Sequence, residues 1–131
     1  MVEVVVGALV RDGRVLLAHR RPDKVAYPDV WDLPGGVRED GESELGALAR
    51  ELREELGVEV DLDAVTHLCR VEARPVDEPV VLSAWLVPVW QGTPANLAPE
   101  EHVDIGWFGP DELPPPANLD VRSALVRALT R

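Results

Sequence analysis

Glu51, Glu54 and Glu55 share one side of a predicted helix, close enough in sequence to act on a single partner. Spacings of three and four residues bring side chains together on a helix, and like charges so placed repel by a few tenths of a kcal/mol per pair. Glu54 and Glu55 also fall in the last turn before Gly57, where the helix macrodipole disfavours anions. A cation held among the three carboxylates reverses both penalties. Hard oxygen donors of this kind suit magnesium or manganese. The bland alternative is a solvated acidic face.

The helix that carries them has clear limits. Ser43 can accept a hydrogen bond as N-cap, Glu44 suits the first turn, and Gly57 supplies the C-terminal stop. Leu45, Leu48, Ala49, Leu52 and Leu56 form one apolar stripe that predicts packing on a sheet, with the three glutamates on an adjoining face. Arg50 stands one turn before Glu54 and can hydrogen-bond a carboxylate while leaving its neighbours free for an ion. Gly46 costs about 1 kcal/mol relative to alanine in mid-helix, and only close approach of another backbone would account for it.

Upstream, Trp31 to Leu33 reads as a short strand that Pro34 ends, followed by Gly35-Gly36 and a polar turn from Arg38 to Gly41. A glycine pair read as a loop lets main-chain groups approach an ion or phosphate directly, although a turn needing small residues would look the same. Gly36, five residues, Glu42, seven residues and Arg50-Glu51-Leu52-Arg53-Glu54-Glu55-Leu56-Gly57-Val58 together match, position for position, the signature of the Nudix hydrolases, and the chain resembles their MutT-like branch. The resemblance implies an α/β/α sandwich with a central mixed β-sheet, a single domain over 1–131, and a Mg2+-dependent (Mn2+ possible) enzyme acting on nucleotide phosphoanhydrides.

The formal charge of −11 argues against a nucleic-acid-binding surface. It also opposes polyphosphate binding, a conflict that divalent ions on the glutamates would resolve locally. Cys69 is the only cysteine, which excludes an internal disulfide and reads as a small core residue. No basic-then-apolar leader and no bilayer-length apolar run is present, so the expectation is a cytoplasmic protein without a membrane partner, monomeric or homodimeric.

Val2 to Val10 and Arg14 to His19 read as strands joined by an Arg11-Asp12-Gly13 hairpin turn. Arg20 to Val30 is a loop. Further strands are expected over 58–62, 65–72, 80–90 and 103–108, with Pro75 to Pro79 turning a hairpin, and a final helix over Leu119 to Leu129. Two helices on a mixed sheet agree with the fold that the resemblance implies.

Arg20 and Arg21 stand at the mouth of the proposed site, where a guanidinium can pair with phosphate, stack on a base, or simply remain solvated. The resemblance favours Arg21 as a purine contact. Asn118 can cap the last helix, but its Pro-Pro-Ala-Asn setting resembles the segment whose asparagine reads an oxidised guanine in MutT-like enzymes. Tyr27 is a candidate stacking ring, and Trp31 or Trp107 a pocket wall, while Trp85 and Trp90 read as sheet packing. His19 and His67 read as structural, and His102 as a loop residue, with help in polarising water as its alternative role.

The implied chemistry assigns Glu51, Glu54 and Glu55, with a carbonyl of Gly35 or Gly36, to the ion, and Glu100 or Glu101 as an extra ligand or general base. Glu51 or Glu54 could equally take the water proton, Arg50 would orient carboxylates, and Glu42 would brace the loop–helix junction. The expected substrate is a nucleoside triphosphate, such as an oxidised purine like 8-oxo-dGTP, cleaved to monophosphate and pyrophosphate. ADP-ribose or a nucleotide sugar is the alternative within the family, and a non-catalytic nucleotide-binding regulatory module the alternative outside it.

Overall fold

The computed structural model describes residues 1–74, 77–115 and 118–130. The expected Pro75–Pro79 turn and Pro-Pro-Ala-Asn run are therefore described only in part, since Pro75, Val76, Pro116 and Ala117 lie outside the described residues. Strand β1 (Val2–Arg11) is the spine. Asp12 and Gly13 (φ 54° and 73°) turn it into β2 (Arg14–Arg20), as the hairpin signal predicted. β2 in turn pairs with β3 (Trp31–Asp32) and with β9 (His102–Phe108), both antiparallel. The first half of β1 lies between β4 (Gly35–Val37), antiparallel to it, and β7 (Val80–Val87), parallel to it, with β6 (Thr66–Ala73) beyond β7. The sheet is therefore mixed, as expected.

The period-2 rule divides the core in two. Val5 and Leu9 of β1 face Leu48, Leu52 and Leu56 of helix α1 (Glu44–Leu56), whereas Val6 and Ala8 face Val121 and Leu125 of helix α2 (Leu119–Leu129). Gly7 sits on the α1 side, where a Cβ would come within 2.9 Å of Leu52 and 3.0 Å of Leu48, so its missing side chain sets how closely the helix approaches. α1 is capped as predicted: Ser43 accepts from the Gly46 amide, and Gly57 takes φ 72° with its N–H on the Arg53 carbonyl. Ser43 Oγ is also the one neighbour close to Gly46, so the expected approach of another backbone is not what explains that glycine.

Four elements differ from expectation. Gly35 and Gly36 are strand residues, paired with Val6 and Val5, and not a loop. Ala47, not Ala49, joins the buried stripe of α1. The strand expected over 80–90 breaks after Val87 at Pro88, which has no N–H for a ladder, and resumes as β8 (Trp90–Gln91) paired with β5 (Glu59–Val60). His102 is the first residue of β9 rather than part of the loop. Cys69 is partly buried against the α2-side core, close to the expected role.

Candidate active site

The carboxylates of α1 meet β4 where two glycines remove steric bulk. Gly35 has φ 151°, and a side chain there would collide with the Val5 carbonyl, so only glycine lets β4 lie this close to β1. At Gly36 a Cβ would come 2.5 Å from the Glu51 carboxylate, so this main chain and that acid share one surface.

Arg50 organises the acids more tightly than one helical turn predicts. Its Nε donates to Glu42 Oε2 at 2.7 Å and its Nη2 to Glu42 Oε1 at 2.9 Å, a two-point fork. The Nη1 group donates to Glu51 at 3.0 Å and Glu54 at 3.3 Å, while Nη2 also reaches the Val37 carbonyl at 3.1 Å. The guanidinium lowers the Glu42 carboxyl to about 2, and Glu42 in turn raises Arg50 further above its ordinary value. Arg50 thus ties the glutamates to the end of β4 instead of leaving them free.

Glu55 stands apart: it is 6% exposed, inside the apolar stripe rather than on the adjoining acidic face where it was expected. Burial pushes its carboxyl up to about 9, aided by Glu51 and Glu101 and opposed by the Gly35 amide. Its Oε2 is buried without a hydrogen-bond partner, and its Oε1 lies 3.3 Å from His102 Nε2. A buried acid oxygen with nothing to bind, beside a second carboxylate and a glycine backbone, fits a hard cation in place of the proton. Among the described residues, however, no three acids, histidines or cysteines converge into a finished ion cage. Arg50 occupies one oxygen of Glu51 and one of Glu54, and leaves the other oxygen of each free.

A cleft of about 840 Å³ is lined by these acids together with Gly35, Gly36, Tyr27, Val4, Val6, Leu33, Leu82, Asn118 and Val121. Acidic and aliphatic side chains thus share one continuous space.

The NUDIX domain model matches residues 1–129. This chain belongs to the Nudix hydrolase family. It is 40% identical over 86% of its length to the CTP pyrophosphohydrolase of Escherichia coli, covering 78% of that protein. To the 8-oxo-dGTP diphosphatase of the same organism it is 28% identical, over 95% of this chain and 96% of the other. Among solved structures, a MutT NUDIX hydrolase from Burkholderia pseudomallei superposes with a TM-score of 0.83 at 34% identity, covering 95% of both chains.

Within this Nudix hydrolase, Glu51, Glu54, Glu55, Gly35, Gly36, Arg50, Glu100, Glu101, Arg20, Tyr27 and Asn118 all line the cleft. Arg21 does not: its guanidinium pairs with Asp23 at 3.0 Å and reaches the Pro99 carbonyl at 3.3 Å. Arg20 lines the wall, but its guanidinium donates to the carbonyls of Ala26 (2.7 Å) and Tyr27 (3.2 Å), shaping the loop. Glu101 accepts from Lys24 at 2.7 Å. Asn118 caps α2, its oxygen accepting from the Asp120 and Val121 amides, so only its NH2 group is left for a ligand. Trp107 stacks on Trp90 in the α1-side core and is not part of the cleft lining, whereas Trp31 stacks on His19 and lines a smaller pocket with Asp32, Leu33 and Asn118. His19 and His67 are structural, the latter hydrogen-bonded to Ser83 at 3.0 Å.

Asp32 lines the cleft without having been marked by the sequence, and His102 proves to be buried beside Glu55 outside the cleft lining. Asp32 lies on the floor beside Leu33, its Oδ1 accepting the Leu33 amide, and burial pushes its carboxyl up. Its signal was present, an acid at the end of a strand before a proline, but nothing in the spacing marked it. His102 is 5% exposed and faces Glu55. Among the described residues no helix is long and apolar enough to cross a membrane.

Proposed function

We propose that this chain is a magnesium-dependent pyrophosphohydrolase that cleaves a nucleoside triphosphate to its monophosphate and pyrophosphate, with manganese able to replace magnesium. The observation that carries the reading is one continuous cleft whose lining combines the glutamates of the signature, aliphatic side chains and hydrogen-bonding groups. A triphosphate chain belongs against the glutamates only through divalent ions, whereas a base belongs on Val4, Val6, Leu33 and Leu82.

Glu51, Glu54 and Glu55, with main-chain oxygen from Gly35 or Gly36, would hold the ion, and Glu100 or Glu101, in the same cleft, can add a further carboxylate. A divalent ion there supplies charge neutralisation for the phosphates and activates water. Arg50 keeps Glu51 and Glu54 in place, and Glu42 holds Arg50 by its two-point fork. Glu51, Glu54 or one of the Glu100–Glu101 pair accepts the water proton. Tyr27 offers its ring at the rim, and the Asn118 NH2 group, with Asp32 alongside, offers contacts to a base edge.

The 8-oxo-dGTP diphosphatase relatives and the Asn118 position support an oxidised purine triphosphate. A pyrimidine triphosphate is the second reading, favoured by the 40% identity to a CTP pyrophosphohydrolase. A panel of triphosphates incubated with magnesium, with products resolved by chromatography, tests both. Monophosphate with pyrophosphate is the expected pair. Diphosphate with inorganic phosphate, or binding with no product, would refute the proposed reaction, and relative kcat/KM for 8-oxo-dGTP and CTP decides the base.

A further inference from the structure

Two buried polar side chains face each other behind the acidic cluster, and each has one atom with no partner. Glu55 and His102 are 6% and 5% exposed, and His102 Nε2 lies 3.3 Å from Glu55 Oε1. Among the described residues, neither Glu55 Oε2 nor His102 Nδ1, both buried, has a hydrogen-bond partner. A bare acceptor lone pair costs less in a protein interior than a stranded N–H. That difference selects the imidazole tautomer with its proton on Nε2, aimed at Glu55, and leaves Nδ1 as the bare acceptor. Oε1 of Glu55 is then engaged by the ring, and Oε2 is the oxygen left for a ligand.

The backbone is built to hold this pair. A β-bulge in β9 pairs Asp104 with His19 and His102 with Arg20, omitting Val103. Strict alternation from Ile105 and Trp107, which pack on the α1 side, would put Val103 inward; the bulge gives that place to His102 and leaves Val103 46% exposed. The turn before β9 ties both partners together. Leu97 N–H donates to the Glu55 carbonyl at 2.8 Å, Asn96 Nδ2 donates to the His102 carbonyl at 2.9 Å, and His102 N–H donates to the Ala98 carbonyl at 2.9 Å.

We infer that His102 is a positioning residue: its Nε2–H holds Glu55 Oε1 so that Oε2 is presented to a divalent cation in the acidic cluster. The inference rests on the ion reading proposed above and names what orients its buried ligand. Holding a ligating side chain by a hydrogen bond from behind changes metal affinity by about tenfold to a hundredfold when the contact is lost.

The test is Mn2+ binding to the nucleotide-free chain of residues 1–131, followed by electron paramagnetic resonance, with urea midpoints recorded alongside. His102→Leu fills the space without a donor, and His102→Gln places an amide N–H near the Nε2 position. The leucine variant should bind Mn2+ at least about tenfold more weakly at an unchanged or higher urea midpoint, because it removes the stranded Nδ1. The glutamine variant should recover most of the affinity. His102→Met gives the same donor-free comparison if the leucine variant does not fold. Wild-type affinity in the donor-free variants, or glutamine binding as poorly as leucine, would overturn the inference while leaving the ion reading intact. No Mn2+ uptake by the unaltered chain would remove both.

Discussion

Glu55→Gln separates the cost of burying this acid from what the acid does. Its carboxyl is raised from the ordinary value of 4.5 to about 9, so between those values the folded chain holds a proton that the unfolded chain has released. Stability then falls as pH rises, by at most about 1.4 kcal/mol per pH unit, and the contribution is fully present only below the unfolded value. His102 works in the opposite sense, since burial lowers its ring below 6.5 and stability is lost as pH falls through that range. Comparing about pH 7 with about pH 8.5 stays above the histidine and isolates the acid. Over that span the ion-free chain should lose about 2 kcal/mol, and Glu55→Gln, which carries no proton to lose, should lose almost none. Urea unfolding in the presence of a chelator measures both. Adding magnesium at about 100 times its Kd should return about 2.7 kcal/mol to the unaltered chain at the higher pH and much less to the variant. Turnover by Glu55→Gln should fall at least about a hundredfold. Parallel pH losses in the two proteins would show that Glu55 is not the titrating group, and normal turnover by the variant would sink the ion assignment.

Other substitutions probe the remaining parts of the cleft. Arg50→Lys keeps the charge but cannot reproduce the two-point fork on Glu42 while reaching Glu51 and Glu54, so kcat should fall by more than about tenfold with the fold retained by circular dichroism. Gly36→Ala puts a methyl group 2.5 Å from the Glu51 carboxylate, and the magnesium concentration for half-maximal rate should rise several-fold. Asn118→Ala should cost about 1 kcal/mol from the lost cap, while Asn118→Asp keeps the cap but loses the NH2 donor. If the aspartate variant keeps the base preference of the unaltered chain in the triphosphate panel, Asn118 is a cap and nothing more. Gly7→Val should destabilise the fold by about 1–3 kcal/mol in urea unfolding, because Leu48 and Leu52 already fill the space at that glycine.

The sequence makes the frame legible because the frame is set by local rules. Cap, stop and apolar period delimit α1, and Asp12-Gly13 forces the first hairpin. The Nudix signature then brings the acids and the glycine pair together. Glu55 was also within reach of pattern reading. It lies three residues after Leu52 and seven after Leu48, within the buried stripe, and its chemistry alone suggested the outer face. The position of Arg21 is illegible for a different reason: two adjacent arginines at a strand end point in different directions, and their loop partners Asp23, Ala26 and Tyr27 leave Arg20, not Arg21, in the cleft lining.

His102 was not legible by any periodic rule. Counting outward from Trp107 and Ile105 gives the inward position to Val103 and sends His102 outward with Asp104. Only the extra residue in β9 reverses that order, and a bulge leaves no mark in hydrophobic alternation beyond an exposed valine. The irregularity falls opposite the one carboxylate of the cluster that is buried in the core. An acid on an outer helix face can be steered by an arginine at the edge of solvent, as the exposed Glu54 is by the half-buried Arg50. An acid turned into the core can be steered only by another buried polar group, and regular alternation in β9 would have put an apolar valine there instead.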